Sequence, residues 1–186
     1  MSSVEAPAST VSFAPLLEKR FPGTAVAETR PAADVPTIAV PRMALREVAL
    51  FLRDDPSTKY DLFVDLAAID TSRLPAPQAP RDGHRFQAHV LLYSTSRNAH
   101  LRVRVSVPEA DAVLPTLTGV WPAANWFERE AWDLMGIRFE GHPNLQRLLT
   151  HNGFVGHPLR KDYEAAQRWL CTEEDLLQTQ LAAKTD

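Results

Sequence analysis

The stretch His100–Val107, HLRVRVSV, has the most regular pattern of the chain, and the fold class follows from it. Apolar residues occupy every second position and polar residues stand between them: Leu101, Val103, Val105 and Val107 against Arg102, Arg104 and Ser106. Successive side chains of a strand point to opposite faces of a sheet. The alternation therefore predicts a strand with one buried and one solvated face.

Two more strands are predicted before this one. Tyr60–Asp70, YDLFVDLAAID, is apolar along most of its length, which is typical of a central strand buried on both faces. Arg85–Tyr93 follows it, and we expect this segment to pair with His100–Val107.

The first sixty residues predict two helices and two short strands. The helix Ser12–Phe21 carries apolar residues at helical spacing and is ended by Pro22. The strands Thr24–Arg30 and Pro36–Val40 follow, and Pro41 opens a second helix. The order of helix, two strands, helix and three strands predicts a two-layer α+β domain.

After the last strand the pattern changes to helices and then to a long irregular C-terminal extension. Glu109–Val120 predicts a short helix, and Pro122–Met135 predicts a second one, which Gly136 closes. Beyond it Gly, Pro and His recur, and two turns share the sequence G-H-P, Gly141–Pro143 and Gly156–Pro158. Both turns suggest a segment that folds back or lies along a partner.

We divide the chain into three parts on this basis. Residues 1–10 are expected to be a disordered N-terminus, and residues 11–135 the α+β domain with its closing helices. Residues 136–186 are expected to be an extended partner-binding tail, ordered mainly by its partner, with a terminal helix over Glu164–Lys184.

The composition excludes several classes of protein. With 186 residues, of which 45% are apolar and 23% charged, the chain has the size of one globular domain and is not wholly disordered. The net charge of −3 argues against a surface that binds nucleic acid throughout. No apolar run is long enough for a transmembrane helix, and no export signal is visible. We expect a soluble protein in a reducing compartment.

The single cysteine, Cys171, and the spacing of the six histidines argue against a resident metal. One thiol forms no disulfide within the chain and holds no iron–sulfur cluster. No H-E-x-x-H motif and no phosphate-binding glycine loop are present. His142 and His157 each lie between Gly and Pro, which favours turn residues whose ring nitrogens bond backbone carbonyls.

The most informative stretch is Trp121–Asp162, where acids, arginines and tryptophans crowd together. Three interpretations of Glu128, Glu130 and Asp133 are open: metal ligands, a general acid–base pair, or carboxylates that pair with arginines and pin the tail. We favour the third. Metal sites in helical bundles need Glu-x-x-His motifs, and acid–base catalysis needs a cleft for its substrate.

Four motifs lie in this stretch: Glu128-Arg129-Glu130, Asp133-Leu134-Met135-Gly136, Gly141-His142-Pro143 and Gly156-His157-Pro158-Leu159-Arg160-Lys161-Asp162. Together they resemble the thirty-kilodalton subunit, also called the C subunit, of proton-pumping NADH:quinone oxidoreductase, respiratory complex I. The resemblance is close over Trp121–Tyr163 and looser over Tyr60–Val107.

The resemblance implies a non-catalytic peripheral-arm subunit that packs against the quinone-site subunit, called the D subunit, and against other peripheral-arm subunits. The expected location is the cytoplasmic side of a bacterial inner membrane, with membrane contact only through the complex. The resemblance implies no cofactor in this chain, whereas the whole complex holds FMN, iron–sulfur clusters and quinone. It predicts a partner interface at Glu128, Arg129, Glu130, Asp133, His142, Pro143, Arg147, His157, Arg160, Lys161 and Asp162.

Three other functions stay open at this point. The chain is also compatible with the equivalent subunit of a membrane-bound hydrogenase or formate hydrogenlyase, which share this subunit type. A free-standing small enzyme would use the cluster of Glu, Asp and His side chains. RNA binding through Arg102 and Arg104 is a third alternative, which the net negative charge disfavours.

Overall fold

The structure, a computed structural model, describes residues 14–22, 27–29, 35–75 and 82–164. Its helices and strands, in chain order, are α1 (Ala14–Arg20), β1 (Ala27–Thr29), β2 (Thr37–Ala39), α2 (Leu45–Asp54), β3 (Leu62–Asp70), β4 (Phe86–Ser94), β5 (Ala99–Val107), β6 (Val113–Pro115), α3 (Ala124–Met135) and β7 (Arg138–Glu140). A 3-10 turn over Arg42–Ala44 leads into α2. Residues 1–10, Cys171 and all but the first residue of the predicted helix Glu164–Lys184 lie outside the described residues.

Five strands form one sheet in the order β1-β2-β5-β4-β3. β4 and β5 pair antiparallel over their whole length, from Phe86 opposite Val107 to Ser94 opposite Ala99. β2 lies parallel to β5 on the other side. The short strands β6 and β7 form a second, parallel pair. Strands and helices segregated in this way confirm the α+β fold class.

One face of the sheet carries the hydrophobic core. The inward side chains of β4 and β5 are almost wholly buried: Phe86, Ala88, Val90, Leu92, Leu101, Val103, Val105 and Val107. The buried face of α2 joins the same core through Leu45, Val48, Ala49 and Leu52. Helix α3 packs against β3, where the Phe127 ring lies 5.5 Å from the Phe63 ring. The alternation in His100–Val107 therefore predicted its strand and its buried face correctly.

The prediction that Tyr60–Asp70 is a central strand is wrong, because β3 lies at the edge of the sheet. Phe63 and Leu66 face the core, but Leu62 is 49% exposed and Ile69 39% exposed. The register with β4 shifts between Phe63 and Asp65, which leaves one extra residue in β3. Such a bulge interrupts the alternation of inward and outward residues. An edge strand with a bulge thus had the continuous apolar pattern of a buried strand.

The predicted helix Glu109–Val120 is also wrong. Val113–Pro115 forms β6, and turns precede and follow it. Pro115 lacks a backbone N–H and its ring clashes with the preceding helical turn, which costs about 3 kcal/mol in a helix interior. The neighbouring prediction holds, since α3 begins at Ala124 and Gly136 ends it with a left-handed φ of 74°.

The position of β3 generates a matched pair of leucine variants. Leu66→Ala should lower the free energy of unfolding by about 2–5 kcal/mol, because it leaves a cavity in the core. Leu62→Ala removes the same atoms from a half-exposed position and should cost about 1 kcal/mol or less. Urea unfolding of both variants measures the difference. Equal losses would contradict the half-exposed position of Leu62 on β3.

Candidate functional site

The carboxylate of Asp133, in the charged stretch Trp121–Asp162, is 0% exposed. Its Oδ2 accepts hydrogen bonds from the backbone N–H groups of Leu148, Leu149 and Thr150 at 2.8–3.0 Å. Its Oδ1 accepts from the Thr150 hydroxyl at 2.5 Å and from Arg147 Nη1 at 2.6 Å. Burial raises the pKa of Asp133, but these bonds outweigh burial and hold the pKa at about 2. Asp133 is therefore a permanent anion around which the tail folds.

The C-terminal end of α3 is covered by the same tail. Helices leave their last carbonyls without partners inside the helix. Three tail groups bind them in turn: His157 Nδ1 to Asp133 O at 2.9 Å, the Leu159 N–H to Leu134 O at 3.0 Å, and Arg160 Nε to Met135 O at 2.8 Å. Cations at this end also oppose the helix dipole.

Gly136 allows this close approach of the tail. Its φ of 74° lies in the left-handed region, which strongly favours glycine. A Cβ at this position would lie 2.5 Å from the His157 ring and 2.5 Å from Arg160 Nη2. Any side chain at residue 136 would therefore displace the two residues that cap α3.

Glu128 is the second fully buried acid of α3, at 0% exposure. It accepts a hydrogen bond from the Leu117 N–H at 2.6 Å and one from the Thr116 hydroxyl at 2.6 Å. Burial raises the pKa of Glu128 to about 7, because these two bonds offset only part of the desolvation. A pKa near neutrality is typical of catalytic acids. The Glu128 side chain has no solvent exposure, and its two hydrogen bonds join α3 to the segment after β6.

The two G-H-P turns attach the tail to the two ends of α3. His142 accepts a hydrogen bond from the Asn144 N–H at Nδ1, and its Nε2 lies 3.3 Å from Asn125 O near the start of the helix. His157 binds Asp133 O near its end. Burial lowers the pKa of both histidines. The prediction of turn residues bonded to backbone carbonyls is confirmed, and Pro143 beside His142 is exposed.

A second group of hydrogen bonds and ion pairs joins the tail to the sheet. Asp70 is 2% exposed and accepts hydrogen bonds from Arg85 Nη2 at 2.8 Å and from the Lys161 N–H at 2.9 Å. Arg85 also binds Asp162 at 2.5 Å, and it binds Glu109. Burial raises the pKa of Asp70, but the bonds from Arg85 and Lys161 lower it further than burial raises it. The Arg85 guanidinium lowers the pKa of Asp162 as well.

Arg129 and Glu130, the other predicted residues on α3, differ in their surroundings. Arg129 donates to the backbone carbonyls of Gln146 and Arg147 at 3.0 and 3.1 Å and lies 5.1 Å from the Trp126 ring. Glu130 is exposed and has no hydrogen bond or ion pair within the part of the chain that the structure describes.

The predicted interface set therefore divides into internal and exposed members. Glu128 and Asp133 have zero exposure and bond to this chain's own groups. The half-buried members hold the tail through bonds to Asp133 and to backbone carbonyls; they are Arg129, His142, Arg147, His157 and Arg160. The exposed members are Glu130, Pro143, Lys161 and Asp162.

Sequence reasoning missed the groups that complete these bonds. Asp70, Arg85, Thr116 and Thr150 were not singled out, and all four are distant in sequence from the residues they bind. Asp70 gave one usable signal, since it is an acid at the end of an apolar strand. Such an acid needs donors if it is buried.

The chemistry of the cluster is that of a structural network. In the ranges 14–22, 27–29, 35–75 and 82–164, no group of three or more His, Cys, Asp or Glu side chains is placed to hold a metal ion. None of the helices described there is long and apolar enough to cross a membrane. Asp133 accepts five hydrogen bonds and Glu128 accepts two, all from donors of the chain itself, and neither side chain is exposed to solvent.

The comparison with protein families decides the classification. The family model described as "Respiratory-chain NADH dehydrogenase, 30 Kd subunit" matches residues 38–168, well over half of the chain. The chain belongs to this family. The resemblance of the four motifs to the thirty-kilodalton subunit is thereby confirmed.

Several curated members of the family are similar to the chain. The C subunit of the NADH-quinone oxidoreductase of Cupriavidus metallidurans is 48% identical over 128 residues, which cover 68% of this chain and 63% of that protein. The C subunit of Azorhizobium caulinodans is 44% identical over 143 residues, 77% of this chain and 63% of that protein. The combined C/D subunit of Methylococcus capsulatus is 40% identical over 157 residues, 83% of this chain and 26% of that protein. The chain thus spans about three fifths of the length of these two C subunits.

Two solved structures share the fold. A trypsin-resistant fragment of Nqo5 has a TM-score of 0.60 and 31% identity, and the match covers 71% of this chain and 97% of the fragment. A chain of the archaeal membrane-bound sulfane sulfur reductase has a TM-score of 0.64 at 18% identity, with 82% of this chain and 84% of that chain covered. The second similarity concerns the fold alone.

The five hydrogen bonds that the Asp133 carboxylate accepts lead to a prediction about stability. Asp133→Asn replaces one carboxylate oxygen by an NH₂ group that faces N–H donors, and it leaves Arg147 without its counter-charge. Removing one partner of a buried pair costs about 3–5 kcal/mol. Urea unfolding at pH 7 should show this loss, whereas the control Glu130→Gln on the exposed side of α3 should change stability by less than about 0.5 kcal/mol. A loss as small as that of the control would exclude the central role of Asp133.

The raised pKa of Glu128 predicts a pH dependence of opposite sign to that of an ordinary paired acid. Its folded pKa of about 7 exceeds the usual 4.5, so its contribution is fully present below pH 4.5 and is lost as the pH rises towards 7. From pH 5 to pH 8 the wild type should lose up to about 3 kcal/mol more than Glu128→Gln, whose side chain stays neutral. Urea unfolding of both proteins across this pH range is the measurement. If the free energies of unfolding of the two proteins changed in parallel with pH, a raised pKa of Glu128 would be ruled out.

Proposed function

We propose that this chain is the thirty-kilodalton C subunit of a proton-translocating NADH:quinone oxidoreductase, respiratory complex I. In this role it is a non-catalytic scaffold of the peripheral arm. It packs against the quinone-site D subunit and other peripheral-arm subunits and supports assembly for electron transfer from NADH to quinone. The chain itself binds no cofactor, and the FMN, the iron–sulfur clusters and the quinone are held by other subunits.

The proposal is supported mainly by the buried acids of the stretch Trp121–Asp162, which bond within the chain. Glu128 and Asp133, two of the three acids on α3, are buried and bound to the chain's own groups. A pair of catalytic acids needs both of its groups open to the substrate, and only Glu130 of the three acids on α3 is exposed. A scaffold needs them only to hold a shape, which is what Asp133 and Glu128 do. The curated relatives, named as subunits of NADH-quinone oxidoreductase, support this role over that of a hydrogenase component.

The D subunit is supported as the neighbour by the relative from Methylococcus capsulatus, whose name describes a combined C/D subunit. Two subunits joined in one chain are held next to each other. The proposed location is peripheral, at the cytoplasmic side of a bacterial inner membrane, with membrane contact only through the complex. The exposed members of the predicted interface set, Glu130, Pro143, Lys161 and Asp162, are candidates for contacts at its rim.

The scaffold role is tested by separating assembly from turnover. Arg160→Ala removes the bond to Met135 O and the contact of the guanidinium with the Phe86 ring at 5.0 Å, so the tail loses one anchor. Less complex should assemble, while NADH:quinone turnover per assembled complex stays near that of the wild type. Native gels of membranes, combined with activity normalised to complex content, provide both values.

Arg138→Ala is the matched control, because Arg138 is exposed and its side chain forms no hydrogen bond or ion pair among the described residues. It should leave both assembly and turnover unchanged. Full assembly of Arg160→Ala with turnover reduced by orders of magnitude would instead indicate a catalytic role. Absence of a homologue of the quinone-site D subunit from the purified wild-type complex would refute the proposed partner.

A further inference from the structure

The five-stranded sheet has a second face, which lies opposite the hydrophobic core. The core takes side chains from all three described helices, among them Leu17, Leu52 and Ala131. Every second residue of β4 and β5 points away from this core and is half-buried or exposed. We call these residues the outer face: Gln87, His89, Leu91, Tyr93, His100, Arg102, Arg104 and Ser106.

Two arginines lie at the centre of the outer face without a counter-charge. Arg102 lies opposite Leu91 on the neighbouring strand, and Arg104 lies opposite His89. Neither guanidinium forms a hydrogen bond or an ion pair among the residues that the structure describes. Burial, together with the two arginines beside it, lowers the pKa of His89 to about 4. This histidine is therefore neutral at pH 7, and the positive charge belongs to the arginines.

The acids that border the outer face do not neutralise these arginines. Asp65 lies on the edge strand β3, which β4 separates from β5, and it forms no ion pair within the described part of the chain. Asp61 and Asp82 lie at the two ends of the face. Asp61 binds the backbone and the hydroxyl of Thr95, and Asp82 bonds to Ser106. The centre of the face therefore keeps two cations without a carboxylate partner.

The described part of the chain ends beside this sheet. Asp162 binds Arg85, which is the residue before β4. Glu164 follows two residues later and lies at the same end of the sheet, where Phe86 pairs with Val107. The end of a sheet gives access to both of its faces. The residues that come next in the sequence therefore start within reach of the outer face.

Residues 165–186, which we call the C-terminal segment, have the sequence of an amphipathic helix with an acidic border. The segment contains no Pro or Gly. At about 100° per residue, Leu170, Leu177 and Leu181 share one side of this helix. Glu173 and Glu174 stand at the two borders of that side. The segment holds four acidic and two basic residues, so its charge is opposite in sign to that of the arginines.

The length of the C-terminal segment matches that of the outer face. A helix rises about 1.5 Å per residue, so the segment would extend to about 33 Å. β5 spans about 27 Å from Val107 back to Ala99. The two glutamates come about 14 and 15 Å after Glu164 in such a helix, and Arg104 and Arg102 lie about 10 and 17 Å from Val107. A helix along β5 therefore brings the carboxylates beside the guanidinium groups.

We propose that the C-terminal segment docks as a helix on the outer face, so that this surface binds a part of its own chain. Glu173 and Glu174 pair with the two arginines, and Leu177 packs near Leu91. The half-buried arginines gain the counter-charges that the described residues do not supply. Once they are covered, the arginines are not available to RNA. The inference goes beyond the proposed function and does not depend on it.

The test uses Cys171, the single cysteine of the chain, which lies in the C-terminal segment. A benzophenone maleimide is attached to this thiol in the isolated full-length chain, and crosslinked peptides are identified by mass spectrometry after irradiation. The expected product joins Cys171 to Gln87–Leu91 or to Arg102–Ser106 within one chain. Its yield should fall when the salt concentration rises from about 0.05 M to about 0.5 M, because salt screens ion pairs.

Charge reversal tests the pairing. The double variant Arg102→Glu, Arg104→Glu should lower the crosslink yield about tenfold, since like charges then face each other. Adding Glu173→Arg and Glu174→Arg to the same chain should restore the yield, because opposite charges meet again. Arg138→Glu on β7 is the matched control, since Arg138 is exposed and its side chain has no partner among the described residues. It should leave the yield unchanged.

A neutral variant separates docking from folding. Arg102→Gln with Arg104→Gln introduces no like charge and should lower the yield about threefold, because exposed ion pairs contribute modestly. The urea midpoint of each variant should equal that of the wild type. A yield that stays unchanged in the neutral and the reversed variants alike would refute the pairing.

Other products would overturn the proposal. A wild-type crosslink from Cys171 to α3 or to residues 141–163, with none to the outer face, would refute this docking site. A crosslink between two chains would identify a second copy as the occupant. Salt-dependent binding of single-stranded RNA by the wild type, lost in Arg102→Glu, Arg104→Glu, would identify a nucleic acid instead. None of these outcomes affects the proposed function, which assembly and turnover test separately.

Discussion

The carboxylate of Asp133 imposes the constraint on which the arrangement of the tail depends. An ionised carboxylate without solvent exposure must be surrounded by donors, because an unpaired buried charge costs several kcal/mol. Five donors meet it, and all of them belong to the loop Arg147–Thr150. A helix side chain thus determines the path of a segment that has no regular secondary structure of its own. The loop in turn brings Arg147 to Gly156 and fixes the second turn.

The remainder of the tail is held by the end of helix α3 and by the edge of the sheet. His157, Leu159 and Arg160 occupy the last carbonyls of α3, and Asp70 with Arg85 holds the next two residues. Hydrogen bonds and ion pairs therefore hold the tail in place, whereas apolar burial stabilises the sheet. This explains how a segment with exposed leucine and valine side chains keeps a defined shape.

The four motifs in Trp121–Asp162 need a different interpretation from the one that their charged composition suggests. Charged motifs in a short stretch suggest catalysis or surface ion pairs, yet here the most deeply buried members bond within the chain. The tail that these members hold leaves the side chains of Leu149, Val155 and Leu159 exposed.

The sequence by itself determined the features that depend on local periodicity and turn chemistry. The alternation in His100–Val107 predicted β5 with its buried face, and Pro122–Met135 followed by Gly136 predicted α3 with its left-handed end. The G-H-P turns predicted histidines bonded to backbone carbonyls, since Gly and Pro restrict the chain locally. Pro115 was a local signal against the helix Glu109–Val120, whereas the tertiary structure alone decided the edge position of β3 and the interior position of Glu128 and Asp133. Each of these depends on partners distant in sequence, such as Thr116 or Thr150, and no local pattern encodes which distant donor a buried acid will meet.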